Sequence, residues 1–470
     1  MDERELAFAG LARQAELIRE REISPRELVE VSLSRIERLN PELNAFRRVY
    51  AERALEEAKA AGRRGRSKNL PPLHGVPIAI KDNTDVAGDV TTHGTSAYGA
   101  PAVADSEMVR RVRDAGAIVI GRTTVPPLCA LCVTESATFG YTRNPWDVTR
   151  TPGGSSGGSG AAVTAGLVAA ASGSDGGGSI RVPAAFCGIF GIKPQRGRIS
   201  TAPLADHWYG LTSFGWLTRS VGDSALLLDV TSGSTDIDRD RPSPPDRSFS
   251  EAAASSPGRL RIAYSTKLPP GVIGVKVDDE VRSAVTETAE VLRSLGHDVV
   301  ERDPDYGLYT HGVVARYMRG TANDARTLPR FELLDRRFRA LTRVGGLISD
   351  SRAERAREHG EAMRRRLEPM FSEFDAVLTP VTSEPAPELG RLEGLGLART
   401  IDAMVRIIPW PGAWNHTGQP AAAIPAGLTA AGLPRAAMLV GRTGDEGTVL
   451  SIAAQLEAER PWADRLPPVS

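Results

Sequence analysis

Cysteine is scarce in this chain, with three in 470 residues, which excludes the small folds held by a framework of disulfides. Net charge is absent too: 58 basic residues balance 58 acidic ones, so no charged track invites a nucleic acid or an anionic membrane surface. No apolar run approaches the length of a membrane span. The amino terminus, Met1-Asp2-Glu3-Arg4-Glu5, is acidic and lacks the apolar stretch of a secretory leader. These absences lead to the expectation of a cytoplasmic protein with no nucleic-acid and no membrane partner. What remains is ordinary globular composition, 41% hydrophobic and 25% charged, enough for a large core. Length alone would suggest about three domains, but no linker separates the motifs, and one domain over 1–470 is expected.

Glycine is plentiful, and it gathers around three polar residues. The contexts are Gly75-Val76-Pro77-Ile78-Ala79-Ile80-Lys81-Asp82, Gly153-Gly154-Ser155-Ser156-Gly157-Gly158, and Gly173-Ser174-Asp175-Gly176-Gly177-Gly178-Ser179-Ile180-Arg181. A serine hydroxyl needs an adjacent base to act as a nucleophile, and a lysine can be that base if burial keeps it neutral. Lys81 closes a short apolar strand-like run with Ile78 and Ile80, which points to such burial. Ser155, able both to donate and to accept, fits a relay between Lys81 and the nucleophile Ser179. The amides of Gly176, Gly177, Gly178 and Ser179 are free to point at a developing oxyanion. Asp175 and Arg181 flank the nucleophile as an ion pair that would fix the loop or as two independent charges, and Ser156 joins them as a supporting residue beside the relay.

A single Gly/Ser tract reads equally well as a flexible linker. Two of them around the Ala/Val/Leu-rich stretch 161–171 do not, because linkers do not alternate with core-type sequence. Gly153-Gly154-Ser155-Ser156-Gly157 formally fits the G-x-S-x-G elbow, yet that turn needs a strand before it and Trp146-Asp147-Val148-Thr149-Arg150-Thr151-Pro152 is a poor one. A phosphate-binding loop would end in Gly-Lys-Ser/Thr, which is missing. Cys129 and Cys132 form a C-x-x-C without a second pair or a histidine at ligand spacing, so two core or pocket-lining thiols are expected rather than zinc.

Along the chain, 1–60 read as helices, opened in one case by Ser24-Pro25-Arg26-Glu27, a capping box with proline at the first helical position. Segment 70–230, which carries the three motifs, alternates short strands with helices, the pattern of an α/β sheet. Segment 233–258 reads as an exposed loop. Segment 316–370 is helical and arginine-rich, with a break at Val344-Gly345-Gly346; a solvated face is the expectation, a hinged lid the alternative. Trp410-Pro411-Gly412-Ala413-Trp414 reads as a loop.

Together these motifs resemble the amidase signature family, as do 74–83, 139–146, 188–194, 417–425 and 432–446, so the resemblance covers most of the chain. It implies an α/β/α fold around a large twisted mixed sheet and a Ser-Ser-Lys triad of Ser179, Ser155 and Lys81. It also implies a cis peptide before Ser155, an acyl-enzyme, and no cofactor or metal. Two positions depart from the usual pattern. Gly176 stands where a threonine or another larger residue is common, which would loosen the oxyanion site, and Gln195 follows Lys193-Pro194. Pro127, Leu128, Cys129, Trp208, Tyr209, Ile408, Trp410 and Trp414 fall in segments expected to face the site, although each alone reads equally as core. Jointly they favour a small neutral apolar or aryl amide, or a carbamate, which passes through the same tetrahedral intermediate. The alternatives are the glutaminase subunit of a tRNA-dependent amidotransferase, which needs a charged pocket and a partner chain, and a non-catalytic scaffold, which the intact triad argues against. Assembly as a homodimer is left open.

Overall fold

The computed structural model describes residues 1–64 and 69–470. A mixed sheet of 11 strands runs through it. From edge to edge the strands are Phe46–Val49, Ile118–Thr123, Pro77–Lys81, Ala170–Asp175, Ser213–Thr218, Phe190–Lys193, Ala421–Leu428, Pro434–Gly441, Ala376–Pro380, Arg261–Tyr264 and Asp298–Glu301. Pro77–Lys81 runs parallel to both of its neighbours, whereas the middle of the sheet is antiparallel. The central strands are buried on both faces, as expected where helices cover both sides of a sheet. Alternation assigns each side chain to a face: Ile78 and Ile80 join one apolar core, and Ala79 joins the other.

Local signals place most helices. Ser24 and Glu27 close a reciprocal cap on Pro25–Leu43, with Pro25 in the first turn. Arg181–Cys187 ends at Gly188, whose φ of 68° is the left-handed stop that glycine adopts at little cost. Among the described residues no helix is long and apolar enough to cross a membrane.

Four segments differ from the sequence expectation. Residues 1–60, expected as helices, also supply the edge strand Phe46–Val49, which forms by pairing with the distant strand Ile118–Thr123. The loop 233–258 contains the helix Phe249–Ala254, capped by Ser248 and Glu251; a polar, proline-rich composition masked that local cap. The loop at 410–414 is instead the start of a buried helix, Pro411–Thr417, with proline at its first position. The arginine-rich segment forms parts of three helices, Thr310–Arg326, Arg336–Gly346 and Asp350–Glu373, and the expected break falls just after Gly346. Its face is not simply solvated, because Arg316, Arg319 and Arg357 are buried. Arg357 pairs with Asp206 and Asp240, and Arg316 donates to the carbonyl of Tyr209. Buried guanidinium groups persist where such partners satisfy them.

Candidate active site

Lys81 closes its strand on the same face as Ala79, away from Ile78 and Ile80, and is fully buried. Its Nζ lies 2.8 Å from Ser155 Oγ, 2.8 Å from Ser174 Oγ and 3.2 Å from the Ser174 carbonyl. Burial lowers the amine from 10.5 to about 8, although Cys129 and Asp175 pull the other way. Three oxygens around one nitrogen suit an ammonium with three N–H donors. The neutral amine would keep the two Ser174 acceptors and receive the Ser155 proton. Asn83 Nδ2 also donates to Ser174 Oγ, at 2.9 Å, holding that hydroxyl in place.

The Gly154–Ser155 peptide is cis. A β-carbon on Gly154 would sit 2.6 Å from the backbone of Val133, so the chain can pass there only without a side chain. Ser156 starts the helix Gly157–Thr164, and its amide donates to the Ser179 carbonyl at 3.2 Å. The segment carrying Ser155 and the loop carrying Ser179 are thereby joined.

Asp175 ends the central strand Ala170–Asp175 and organises the loop that follows. Its carboxylate accepts from Arg181 Nη2 at 2.9 Å and Nε at 3.0 Å, from Asn415 Nδ2 at 2.9 Å, and from the amides of Gly178 at 2.7 Å and Ile180 at 3.1 Å. Burial by itself would raise this carboxyl; Arg181 and Asn415 instead hold it well below the usual range. Asp175 and Arg181 are thus one buried ion pair, both fully inaccessible. Its many hydrogen bonds meet the condition under which buried charges persist.

One oxyanion assignment needs correction. The Gly178 N–H is engaged by Asp175, so it is not free for a substrate oxygen. Gly178 is required for another reason: its φ is 122°, and a β-carbon would meet Pro411 at 2.9 Å. The amides of Gly176, Gly177 and Ser179 make no hydrogen bond among the described residues, which leaves three donors beside the Ser179 hydroxyl. The expected looseness at Gly176 is not seen either, since the Trp208 ring occupies the space a side chain would take there.

Ser179 is half-buried and, with Gly176 and Gly177, borders a narrow cavity of about 110 Å³. Cys129, Trp208 and Ile408 line it as expected. Its further walls come from Tyr309, from Val313, Val314 and Tyr317 on the helix Thr310–Arg326 that follows it, and from Ile401, Met404 and Val405 on Leu397–Ile407. Among the described residues no charged side chain lines it.

Pro127, Leu128, Tyr209, Trp410 and Trp414 do not. Pro127 borders a different depression, and Leu128 turns into the core with a φ of 56°. The Tyr209 hydroxyl reaches outward to Asp350. Trp410 and Trp414 are fully buried; Trp410 donates to the Lys267 carbonyl at 2.9 Å, and Trp414 packs on the rings of Tyr306 and Phe371. Because Pro411 starts a helix, positions 410 and 414 share its inward face.

Sequence reasoning missed Ser174, Asn83 and Asn415. Ser174 sits inside the third quoted motif and alternates with Ser172, which accepts the Lys81 amide at 2.9 Å; strand periodicity held that signal. Asn415, which ties Asp175 to Arg181, had no local signal. The run 401, 404, 405, 408 is helix-periodic and marks the missed wall.

A family model, Amidase, matches residues 27–450. The chain belongs to the amidase signature family. It is 46% identical to a Mycobacterium tuberculosis protein named "Putative amidase AmiB2", over 100% of both chains. Among solved structures it is similar to a 6-aminohexanoate cyclic dimer hydrolase, with 30% identity, a TM-score of 0.93 and coverage of 98% of this chain and 99% of that one. It is also similar to a bacterial aryl acylamidase, with 26% identity, a TM-score of 0.85 and coverage of 96% of each chain. The protein is an amide C–N hydrolase, and the fold is that of the family, a large mixed sheet covered by helices.

Proposed function

We propose that this amidase hydrolyses neutral apolar or aryl amides, and carbamates by the same route, through an acyl-enzyme on Ser179. The observation that carries the reading is the uncharged cavity opening onto Ser179 and three unpaired amides. In this scheme Ser179 Oγ attacks the carbonyl carbon and gives its proton to Ser155 Oγ, whose own proton passes to the neutral Lys81 Nζ. The oxyanion is met by the amides of Gly176, Gly177 and Ser179, donors fixed before the reaction begins. The ammonium so formed has its three acceptors already in place. On collapse the proton returns through Ser155 to the leaving nitrogen. Water then attacks the acyl-enzyme by the same steps, regenerating the serine and releasing the acid. A carbamate forms an equivalent intermediate with one more heteroatom on the carbonyl carbon.

Free glutamine carries an ammonium and a carboxylate, and burying these without partners is costly. The uncharged walls therefore weigh against the glutaminase reading. Similarity to the cyclic dimer hydrolase and the aryl acylamidase supports an amide with apolar or aryl flanks.

The test offers the enzyme an anilide, a short alkyl amide, an aryl carbamate and free glutamine, following amine or ammonia release, with fluorophosphonate labelling read by intact mass. The anilide or the carbamate should exceed glutamine by at least about 10²-fold, a specificity of the size that unpaired buried polar groups impose. The label should map to Ser179. Faster turnover of glutamine, or labelling at another serine, overturns the proposal.

A further inference from the structure

An oxyanion site works by holding its donors rigid, and three consecutive glycines are a poor way to hold anything. Asp175 pins the loop at one end by accepting the Gly178 amide. At the other end lies Trp208. A β-carbon on Gly176 would fall 2.8 Å from Trp208 Cε3 and 2.9 Å from Cζ3, whereas one on Gly177 would meet nothing within 4 Å. The benzene edge of the indole therefore occupies the space of the absent side chain.

Trp208 is itself held in an uncommon way. Trp208, Tyr209 and Gly210 have φ of 53°, 55° and 75°, a left-handed turn closed by Gly210 N to His207 O at 3.1 Å and Leu211 N to Trp208 O at 3.2 Å. Bulky residues adopt this region only where their surroundings enforce it. One face of the Thr310–Arg326 helix does so, with three residues spaced four apart. Arg316 donates to the Tyr209 carbonyl at 2.7 and 3.1 Å. Gly320 lets the helix approach, since a β-carbon there would sit 2.4 Å from Trp208 Cδ1. Asp324 accepts from Trp208 Nε1 at 2.7 Å and contacts His207 Nε2 at 3.2 Å. The Tyr317 ring meets the indole edge-on with centroids 5.4 Å apart. The indole is thus clamped between two glycines, one on the helix and one on the oxyanion loop, while also lining the cavity.

We infer that Trp208 is the positioning residue of the oxyanion site: its ring supplies from outside the bulk that residue 176 lacks, and so sets where the Gly176 and Gly177 amides point. The inference rests on Ser179 being the nucleophile. It predicts that bulk at 176 and bulk at 208 are interchangeable in part and exclude one another.

The experiment is a double-mutant cycle of Gly176→Ala and Trp208→Ala, with Trp208→Phe as the conservative variant. It uses a short alkyl amide so that lost aryl contact does not enter. Readouts are kcat and KM separately, inhibition by an alkylboronic acid that forms a tetrahedral adduct on serine, and the thermal midpoint of each variant. In the parent background Gly176→Ala should lower kcat by about 10²-fold, the scale of a lost oxyanion donor, and weaken the boronic acid in parallel. Trp208→Ala should lower kcat by at least about 10-fold. In the Trp208→Ala background the alanine at 176 should cost less than about 3-fold or restore rate, the signature of coupled neighbours. Trp208→Phe should stay within about 10-fold of the parent, since an aromatic still fills the gap.

Equal cost of Gly176→Ala in both backgrounds, or an effect of Trp208→Ala on KM alone, overturns the inference. Should Trp208→Ala fail to fold, Trp208→Leu, which does not reach as far as the benzene edge beside Gly176, takes its place in the cycle, and Gly320→Ala, which pushes the indole toward Gly176, should lower kcat without raising KM. An unchanged kcat there also overturns it. Fluorophosphonate labelling separates the two levels. A parent enzyme not labelled at Ser179 refutes the nucleophile assignment, whereas a labelled parent with independent 176 and 208 effects refutes only the role of Trp208.

Discussion

The two sides of the cavity are built by opposite means. On the proposed catalytic side, Lys81 and Ser174 come from adjacent central strands, Ser155 from the segment before the helix Gly157–Thr164, and 175–179 from a strand end and the loop after it, all tied by short hydrogen bonds. On the facing side, the walls come from residues as distant as Val272, Val313 and Met404 and are mainly apolar, with the Tyr309 and Tyr317 hydroxyls turned to the Pro409 and Ala130 carbonyls. In the proposed mechanism the first side depends on atoms held in fixed directions, so most replacements there should remove the reaction. The second depends on shape and apolar area, so replacements there should shift which substrates are accepted. Trp208 belongs to both sides, lining the cavity while its ring fills the space beside Gly176.

The sharpest way to break this contrast is Ser179→Ala, which should lower kcat by at least about 10⁴-fold and abolish fluorophosphonate labelling, as removal of a nucleophile does elsewhere. Retention of a tenth of the activity would move the nucleophile to another residue. Next comes Lys81→Ala, with an expected loss of about 10²–10⁴-fold, the range for a general base. In the parent, kcat/KM should fall about tenfold per pH unit below about 8, where Lys81 becomes an ammonium and can no longer accept the relay proton, and should level off above it. The same shift affects folding. Between the lowered value, about 8, and the ordinary 10.5, the unfolded chain binds a proton that the folded chain has released, so stability should rise with pH across that window. Lys193, lowered by burial to about 7, adds to the same slope from lower pH. Denaturant midpoints that fall from pH 8 to 10 would contradict this.

Trp414→Ala should act on the fold and leave substrate choice alone. Truncating a fully buried tryptophan costs about 3–5 kcal/mol, so the thermal midpoint should drop while the ratio of anilide to alkyl amide turnover stays constant. A changed ratio would return Trp414 to the substrate wall. The smallest expected effect is that of Met404→Ala on the facing side. It should raise KM for an anilide by about 3–10-fold, the scale of a few lost apolar contacts, with kcat for the short alkyl amide unchanged. A large fall in kcat for both substrates would erase the distinction between the two sides.

The catalytic side was readable because its signals are local. A glycine beside a serine, or a lysine at the end of an apolar strand, is a pattern within a few residues, and the structure places Lys81 and Ser155 in contact. Where reading failed, the missing information was the direction of a side chain or the state of a neighbour. Gly178 reads as a free donor in the sequence because nothing in the run of glycines reveals that the Asp175 carboxylate turns forward to take its amide. Trp410 and Trp414 read as cavity residues in the sequence because Trp-Pro-Gly suggests a turn, whereas Pro411 begins a helix whose inward face they share. The periodic run Ile401, Met404, Val405, Ile408 was legible as a helix face, but periodicity does not say which cavity a face meets.

By itself, then, the sequence determined the α/β class, the helix caps, the family and the segments that gather around Ser179, because each follows from short-range spacing and backbone preference. Only the tertiary structure decided which amides stay unpaired, which tryptophans are core and which is wall, and that the bulk missing at Gly176 is filled by Trp208. Those depend on contacts between residues far apart in the chain, and packing alone sets them.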